Sequence, residues 1–370
     1  MDKKLKINFL LFNPALGGGD RVVSIYAKYL KDRGHEITIT ALKPADVRLR
    51  HKMTYFLRTG VVLKPGFSAA HYDNAGINLN IIEGQDTLTD ENIPDADILI
   101  STLWLTAEWA MAMRASKGAK AYFVQGHEVF PHFPKDRVQA TYRAPFDKIV
   151  VSKWLERTMR DEYGSPAIAR VPNTADTTQF HASPRPKNAQ PCVGFLYADS
   201  WVKGVETTTK AIAKVRERYP DLRIVSFGAS SPNSQVPLPQ GCEFHYKPPQ
   251  EKIREVYAQC DLWLCGSRVE GFHLPPMEAM ACRCPVVSTA VGGPEDVIEN
   301  GRQGYIVPID DADALAEKAI NILEASDDEW RQMSDAAYET ATRYTWDDAG
   351  ALFESALYKI VEKAERKTDA

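Results

Sequence analysis

At 370 residues the chain can hold two hydrophobic cores of ordinary size, because single cores rarely grow past about 250–300 residues. Its composition, 44% hydrophobic and 25% charged with a net charge of −4, is that of a globular protein, and no apolar run approaches the roughly 18 residues of a membrane-spanning helix. The first residues are charged and lead straight into an apolar strand, without the apolar segment and small-residue cleavage site of an export signal, so a cytoplasmic location is expected.

In chain order, the N-terminal half reads as a strand at 6–12, a glycine loop at 13–20, a helix at 21–33 and a strand at 36–41, which is one βαβ unit. Further apolar runs at 77–82, 98–101, 121–125 and 148–152 read as strands, with helical stretches at 107–115 and 153–163. Strands buried on both faces and joined by helices imply a parallel sheet. Residues 180–191, FHASPRPKNAQP, carry three prolines and no periodicity, which fits a linker. The alternation then restarts: strands at 192–197, 222–227, 242–246, 261–265 and 285–288, and helices at 204–218, 250–259 and 276–281. Three helices close the chain, at 312–324, 328–343 and 346–367. The expectation is an α/β protein of two Rossmann-like domains with parallel sheets, 1–181 and 182–346.

The six cysteines all lie beyond residue 191 and show no paired C-x-x-C spacing, so they read as reduced structural thiols. The two acidic pairs Asp95/Asp97 and Asp311/Asp313 precede a strand and start a helix, where carboxylates suit the helix dipole; no metal is expected. Residues 1–176 carry 24 basic and 20 acidic groups and the remainder 21 and 29. From Val47 to Tyr72 five basic residues and no acidic one are interleaved with Tyr55, Phe56 and Phe67, a pattern suited to a solvated loop or to peripheral contact with anionic lipid at the inner membrane face. Neither a G-x-x-x-x-G-K-[ST] loop nor a basic aromatic ladder for nucleic acid is present.

The most specific segment is 267–293, SRVEGFHLPPMEAMACRCPVVSTAVGG, in which seven residues separate Glu270 from Glu278 across a strand end and a helix start. The backbone N–H groups of Gly271, Phe272, His273 and Leu274 would point at the helix N-terminus, a natural site for a diphosphate. This segment closely resembles the E-x7-E signature of family 4 glycosyltransferases, the large retaining family of the GT-B fold. The resemblance extends to KIVVSKWLERTMRDEYG, to the PNTAD and Phe180 of 172–180, and to the Lys203–Gly204 pair of VGFLYADSWVKGVETTTKAI.

The resemblance implies parallel sheets facing across a cleft, with the helix at about 347–370 crossing back to the first domain. It implies a nucleotide-sugar donor in the second domain and a glycan or lipid-linked acceptor in the first. No cofactor or metal is implied. By position, Glu270, Lys203 and His127 would be catalytic, with Lys203 stabilising the leaving diphosphate and Glu278 bonding the ribose. Gly18 and Gly19 of the loop PALGGGDRVV would approach the donor through backbone at positive φ, and Gly292 and Gly293 would also lie near it. The sequence departs from the family pattern at Thr174 and His273, which stand for glycines, and at Tyr197–Asp199, which lack the family's arginine. Arg268 is the expected substitute for that arginine among the donor ligands. A nucleotide-sugar epimerase of the same fold and a non-catalytic sugar-nucleotide-binding protein stay open as alternatives to a transferase of polysaccharide or glycoconjugate synthesis.

Overall fold

The computed structural model describes residues 3–15, 17–43 and 67–368. These divide into two compact units, one drawn from Met1–Val151, Leu155–Val171 and Gly350–Ala370, the other from Ser152–Trp154 and Pro172–Ala349. Most of the basic aromatic stretch of 47–72, and with it the expected membrane contact, lies outside the described residues. Among the described residues no helix is long and apolar enough to cross a membrane.

In chain order the first unit contains β1 (Lys6–Phe12), α1 (Gly18–Asp32), β2 (Glu36–Lys43), α2 (Ala70–Asn74), β3 (Leu79–Glu83), β4 (Ile98–Ser101), α3 (Trp104–Ala112), β5 (Ala119–Val124), α4 (Lys135–Arg143), β6 (Asp147–Val150), α5 (Lys153–Tyr163) and β7 (Ala169–Arg170). The strands form one parallel sheet in the order β3-β2-β1-β4-β5-β6-β7. All four residues of β4 are buried, as expected of a strand covered on both faces. α3 starts three residues before the expected helix because its first amide, Trp104 N–H, is capped by the Glu128 carboxylate at 2.7 Å. The threonine at its third position, Thr106, bonds back to Leu103 N–H. α4, KDRVQATYR, escaped the sequence reading because only three of its side chains are buried, too few to show a helical stripe.

The second unit contains β8 (Cys192–Leu196), α6 (Val205–Arg218), β9 (Arg223–Gly228), β10 (Glu243–Tyr246), α7 (Gln250–Ala258), β11 (Leu262–Cys265), α8 (Leu274–Ala281), β12 (Val286–Thr289), α9 (Gly292–Val297), β13 (Gly304–Val307), α10 (Ala312–Glu324) and α11 (Asp327–Thr342). Its sheet, again all parallel, runs β10-β9-β8-β11-β12-β13. Gly194 lets β8 lie against the Trp263 ring, which a Cβ would overlap. Residues 172–180 pack with this unit: Thr174 donates to Tyr344 O at 2.8 Å and Phe180 meets the Tyr257 ring edge-on at 6.0 Å. The chain therefore changes unit at Pro172, ahead of the proline-rich linker. That linker is tied down by Arg185, which donates to Cys260 O at 2.6 Å and to Asp261 Oδ1 at 3.1 Å over the face of Trp330.

The last helix, α12 (Trp346–Thr368), returns to the first unit from Gly350 onward. Phe353 stacks on Tyr26 at 4.3 Å and meets Phe123 edge-on at 5.1 Å. Glu354 accepts from the buried His35 at 2.9 Å and pairs with Arg33 at 3.2 Å. Because His35 Nδ1 accepts Leu5 N–H, the imidazole proton sits on Nε2 and is donated to Glu354. A Cβ on Gly350 would come within 2.5 Å of the Tyr29 ring. Gly350→Ala should therefore lower unfolding free energy by about 1–3 kcal/mol, the usual cost of overpacking; an unchanged urea midpoint would show that this close approach is dispensable.

Candidate functional site

In a parallel α/β sheet, ligands sit beyond the carboxyl ends of the strands where the order reverses, because neighbouring loops diverge there and leave a crevice. In the second unit that point lies between β8 and β11. Lys203 follows β8 and Glu270 follows β11, so the two expected catalytic residues of this unit come from the two loops that border the crevice. Their side chains meet: Lys203 Nζ donates to Glu270 Oε1 at 2.7 Å, and Ser267 Oγ donates to the same oxygen at 2.9 Å.

The pairing depends on backbone contact. After a single 3₁₀ turn at Trp201–Lys203, Gly204 adopts φ 52° and starts α6. A Cβ there would overlap Gly266 O, at the end of β11, so glycine is required for the helix start to reach the neighbouring strand. Arg268 backbone N–H donates to Val202 O at 2.8 Å and its Nη1 to Trp201 O at 2.8 Å, joining the two loops again. Gly292 and Gly293 hold the second loop from behind. Their added Cβ atoms would lie 2.7 Å from Glu270 O and 2.5 Å from Phe272 O, and Gly293 N–H donates to Phe272 O at 2.7 Å. The glycine pair expected near the donor thus supports the Glu270–Phe272 backbone. Asp296, in the same motif, accepts Lys153 N–H at 2.7 Å.

Burial pushes the Glu270 carboxyl up, but His273, the Lys203 ammonium and the hydrogen bonds from Lys203 and Ser267 outweigh it and leave the group below its ordinary range. His273 caps α8 at φ 73° with a side chain 3% exposed, and its Nε2 lies 3.7 Å from Glu270 Oε1. Burial lowers its pKa to about 4, so the imidazole is neutral near pH 7. Gly271, Phe272, His273 and Leu274 lead into the helix start as expected. Glu278 lies one turn inside α8, almost wholly buried, and accepts the Tyr257 hydroxyl at 2.9 Å.

Arg268, the expected substitute for the missing arginine, is engaged by acids. Its guanidinium bonds Asp310 at 2.6 Å and Glu206 at 3.2 Å and lies over the Trp201 ring at 5.2 Å. Two carboxylates share its charge in this structure.

In the first unit, α1 begins at Gly18, so Gly18 and Gly19 form its first turn and the loop is shorter than expected. The cap, Gly17, has φ −70°, and among the described residues of this loop the positive φ falls on Asn13 at 48°. Asp20, in the first turn of α1, accepts Ala15 N–H at 3.2 Å and the Tyr72 hydroxyl at 3.0 Å. A Cβ on Gly19 would lie 3.6 Å from the Gln125 amide, two residues before His127.

His127 follows β5 and bonds the Tyr163 hydroxyl at 2.6 Å; burial lowers its pKa. The Tyr142 hydroxyl spans its backbone, donating to Gly126 O at 3.1 Å and accepting Glu128 N–H at 2.9 Å. Glu128 itself accepts Trp104 N–H at 2.7 Å and the Tyr122 hydroxyl at 3.0 Å. Sequence reasoning missed Tyr142, Tyr163, Tyr257 and Ser267; of these Tyr163 and Ser267 stood inside segments that resemble the family. Among the described residues no group of three His, Cys, Asp or Glu side chains is arranged to hold a metal ion.

Solved structures share this architecture over nearly the whole chain. Anabaena Alr3699/HepE, determined in complex with UDP-glucose, superposes with a TM-score of 0.69 at 17% identity, covering 98% of this chain and all of that one. Sucrose-phosphate synthase from Thermosynechococcus elongatus gives 0.67 at 17% identity over the same shares. The fold is GT-B. Residues 176–340, within the second unit of the GT-B chain, match the family model for Glycosyl transferases group 1. The phosphatidyl-myo-inositol mannosyltransferase of Mycolicibacterium smegmatis is 25% identical across 89% of this chain and 87% of its own length. The D-inositol 3-phosphate glycosyltransferase of Corynebacterium urealyticum is 28% identical over 42% of this chain; the match spans 40% of that relative's length.

Glu128 gives the GT-B chain a measurable pH dependence. Burial raises its pKa to about 7 against the hydrogen bonds from Trp104 and Tyr122. A carboxyl raised on folding contributes stability that is complete below its unfolded pKa and lost as pH rises through 7. Glu128→Gln, whose amide oxygen accepts the same bonds without charge, should match the wild type at pH 4.5 and exceed it at pH 8 by on the order of 1 kcal/mol in urea unfolding. Parallel pH profiles of the two proteins would refute this assignment.

Proposed function

We propose that the protein is a retaining glycosyltransferase that moves a hexose or deoxyhexose from a nucleotide diphosphate-sugar to a glycan or lipid-linked acceptor hydroxyl, in the synthesis of a polysaccharide or glycoconjugate, without a metal. The observation that carries the reading is the Lys203–Glu270 pair at the strand-order reversal, beside the start of α8. In transfer, the bond between the anomeric carbon and the diphosphate oxygen breaks and negative charge grows on the diphosphate. A lysine ammonium and the amides of a helix start are groups that stabilise such charge. An acceptor oxygen bonds the anomeric carbon on the face the diphosphate leaves, and its proton passes to the departing phosphate oxygen. The configuration is then retained. Glu278 is assigned to the ribose hydroxyls, and His127 to the acceptor and the transferred sugar.

The relatives support this reading by name, two being an inositol phosphate glycosyltransferase and a phosphatidylinositol mannosyltransferase, and a neighbour of the same fold was solved with UDP-glucose. The basic stretch of 47–72 suits peripheral contact of a cytoplasmic enzyme with the inner membrane face when the acceptor is a lipid. The test is a thermal-shift series with UDP, GDP, dTDP and ADP. One of them, at about 100 times its Kd, should stabilise the folded protein by about 2.7 kcal/mol, and Glu278→Gln should weaken that stabilisation. Nucleoside diphosphate should be released from the matching nucleotide sugar only when a hydroxyl acceptor is present. Failure of all four nucleotides to stabilise the folded wild type would overturn the proposal.

A further inference from the structure

His273 combines two costs at one position. It is a non-glycine residue at φ 73°, a region uncommon for any residue with a Cβ, although His enters it more readily than most. It also buries an imidazole whose Nδ1 has no hydrogen-bond partner, although buried polar atoms are nearly always paired. The resembling motif has glycine here, which would avoid both. Such costs concentrated beside Glu270 point to a ligand.

The imidazole lines a small cavity with Leu196, Lys203, Cys265 and Ser267, within the crevice described above. Its Nε2 faces the Glu270 carboxylate at 3.7 Å, which favours the tautomer with the proton on Nε2. Nδ1 then carries a lone pair and is an acceptor. A diphosphate, whose oxygens are acceptors at neutral pH, has nothing to offer such an atom; a sugar hydroxyl does. We infer that His273 Nδ1 accepts a hydrogen bond from a hydroxyl of the transferred sugar, making His273 a residue that distinguishes the nucleotide sugar from the bare nucleotide. Burial keeps the ring neutral down to a pKa of about 4, so the contact persists across the neutral range. The inference rests on the donor-binding reading above.

The experiment is isothermal titration of the wild type, His273→Gly and His273→Asn with UDP and UDP-glucose, GDP and GDP-mannose, dTDP and dTDP-glucose, and ADP and ADP-glucose. Glycine keeps the backbone amide and relieves the strain, whereas asparagine tolerates the same φ and supplies an acceptor oxygen. For the pair that binds, His273→Gly should lose about tenfold in affinity for the nucleotide sugar, with the nucleoside diphosphate changed by less than about twofold. His273→Asn should recover much of the loss. Equal changes for sugar and diphosphate, or none for either, would overturn the assignment while leaving the donor site standing. A folded wild type that binds none of the eight compounds would overturn the donor-binding reading, and the His273 contact with it.

Discussion

The arrangement of the second unit depends on one close approach, that of the start of α6 to the end of β11. Gly204 at φ 52° leaves no room for a Cβ against Gly266 O. With that distance closed, the loop after β8 delivers Lys203 to Glu270, and the loop after β11 turns into α8. The pair is then sheltered on both sides. Glu270 is 12% and Lys203 31% exposed, so each charge is partly withdrawn from water and needs the other, because removing one partner of such a pair leaves an uncompensated charge. In the proposed transfer an arriving diphosphate would be a second anion for Lys203. The ion pair would then be the resting arrangement from which the lysine is recruited.

The loops around this pair are held by backbone rather than by long side chains. Gly292 and Gly293 press against Glu270 O and Phe272 O, Thr289 Oγ1 donates to Ser267 O at 2.5 Å, and Arg268 is committed to Glu206 and Asp310. These contacts fix where the amides after Glu270 point before any ligand arrives, and a charge-stabilising site gains from groups already in place. The first unit places His127 by another means, a set of tyrosine hydroxyls around the loop after β5. Tyr142 binds the backbone on both sides of His127, Tyr163 binds its imidazole, and Glu128 ties the same loop to the start of α3.

The alternation of apolar runs and helical stripes was enough to read the two parallel sheets, because β1, β4, β6, β8, β11 and β12 are largely buried and mostly apolar, Asn8 and Lys148 being among the polar exceptions. The E-x7-E segment likewise placed Glu270 on a loop and Glu278 inside a helix. What the sequence concealed is tertiary. Nothing in YADSWVKG and SRVEG says that Lys203 and Ser267 share one Glu270 oxygen. The glycine run at 17–19 reads as a loop of positive φ, yet Gly18 and Gly19 form the first turn of α1, and among the described residues of 13–20 the positive φ falls on Asn13. Arg268 has the right charge and position for a phosphate ligand, and only the fold reveals the two acids that hold it. The change of unit at Pro172 was hidden too, since the prolines beyond Phe180 mark irregular chain rather than a boundary.

The account centres on the start of α8 as the seat of the donor diphosphate. The measurement that tests it most directly is a crystal structure with the stabilising nucleoside diphosphate bound. The account predicts phosphate oxygens at the amides of Gly271–Leu274, with the Lys203 ammonium moved from Glu270 onto them. A diphosphate bound elsewhere, with the Lys203–Glu270 pair intact and the start of α8 unoccupied, would contradict it.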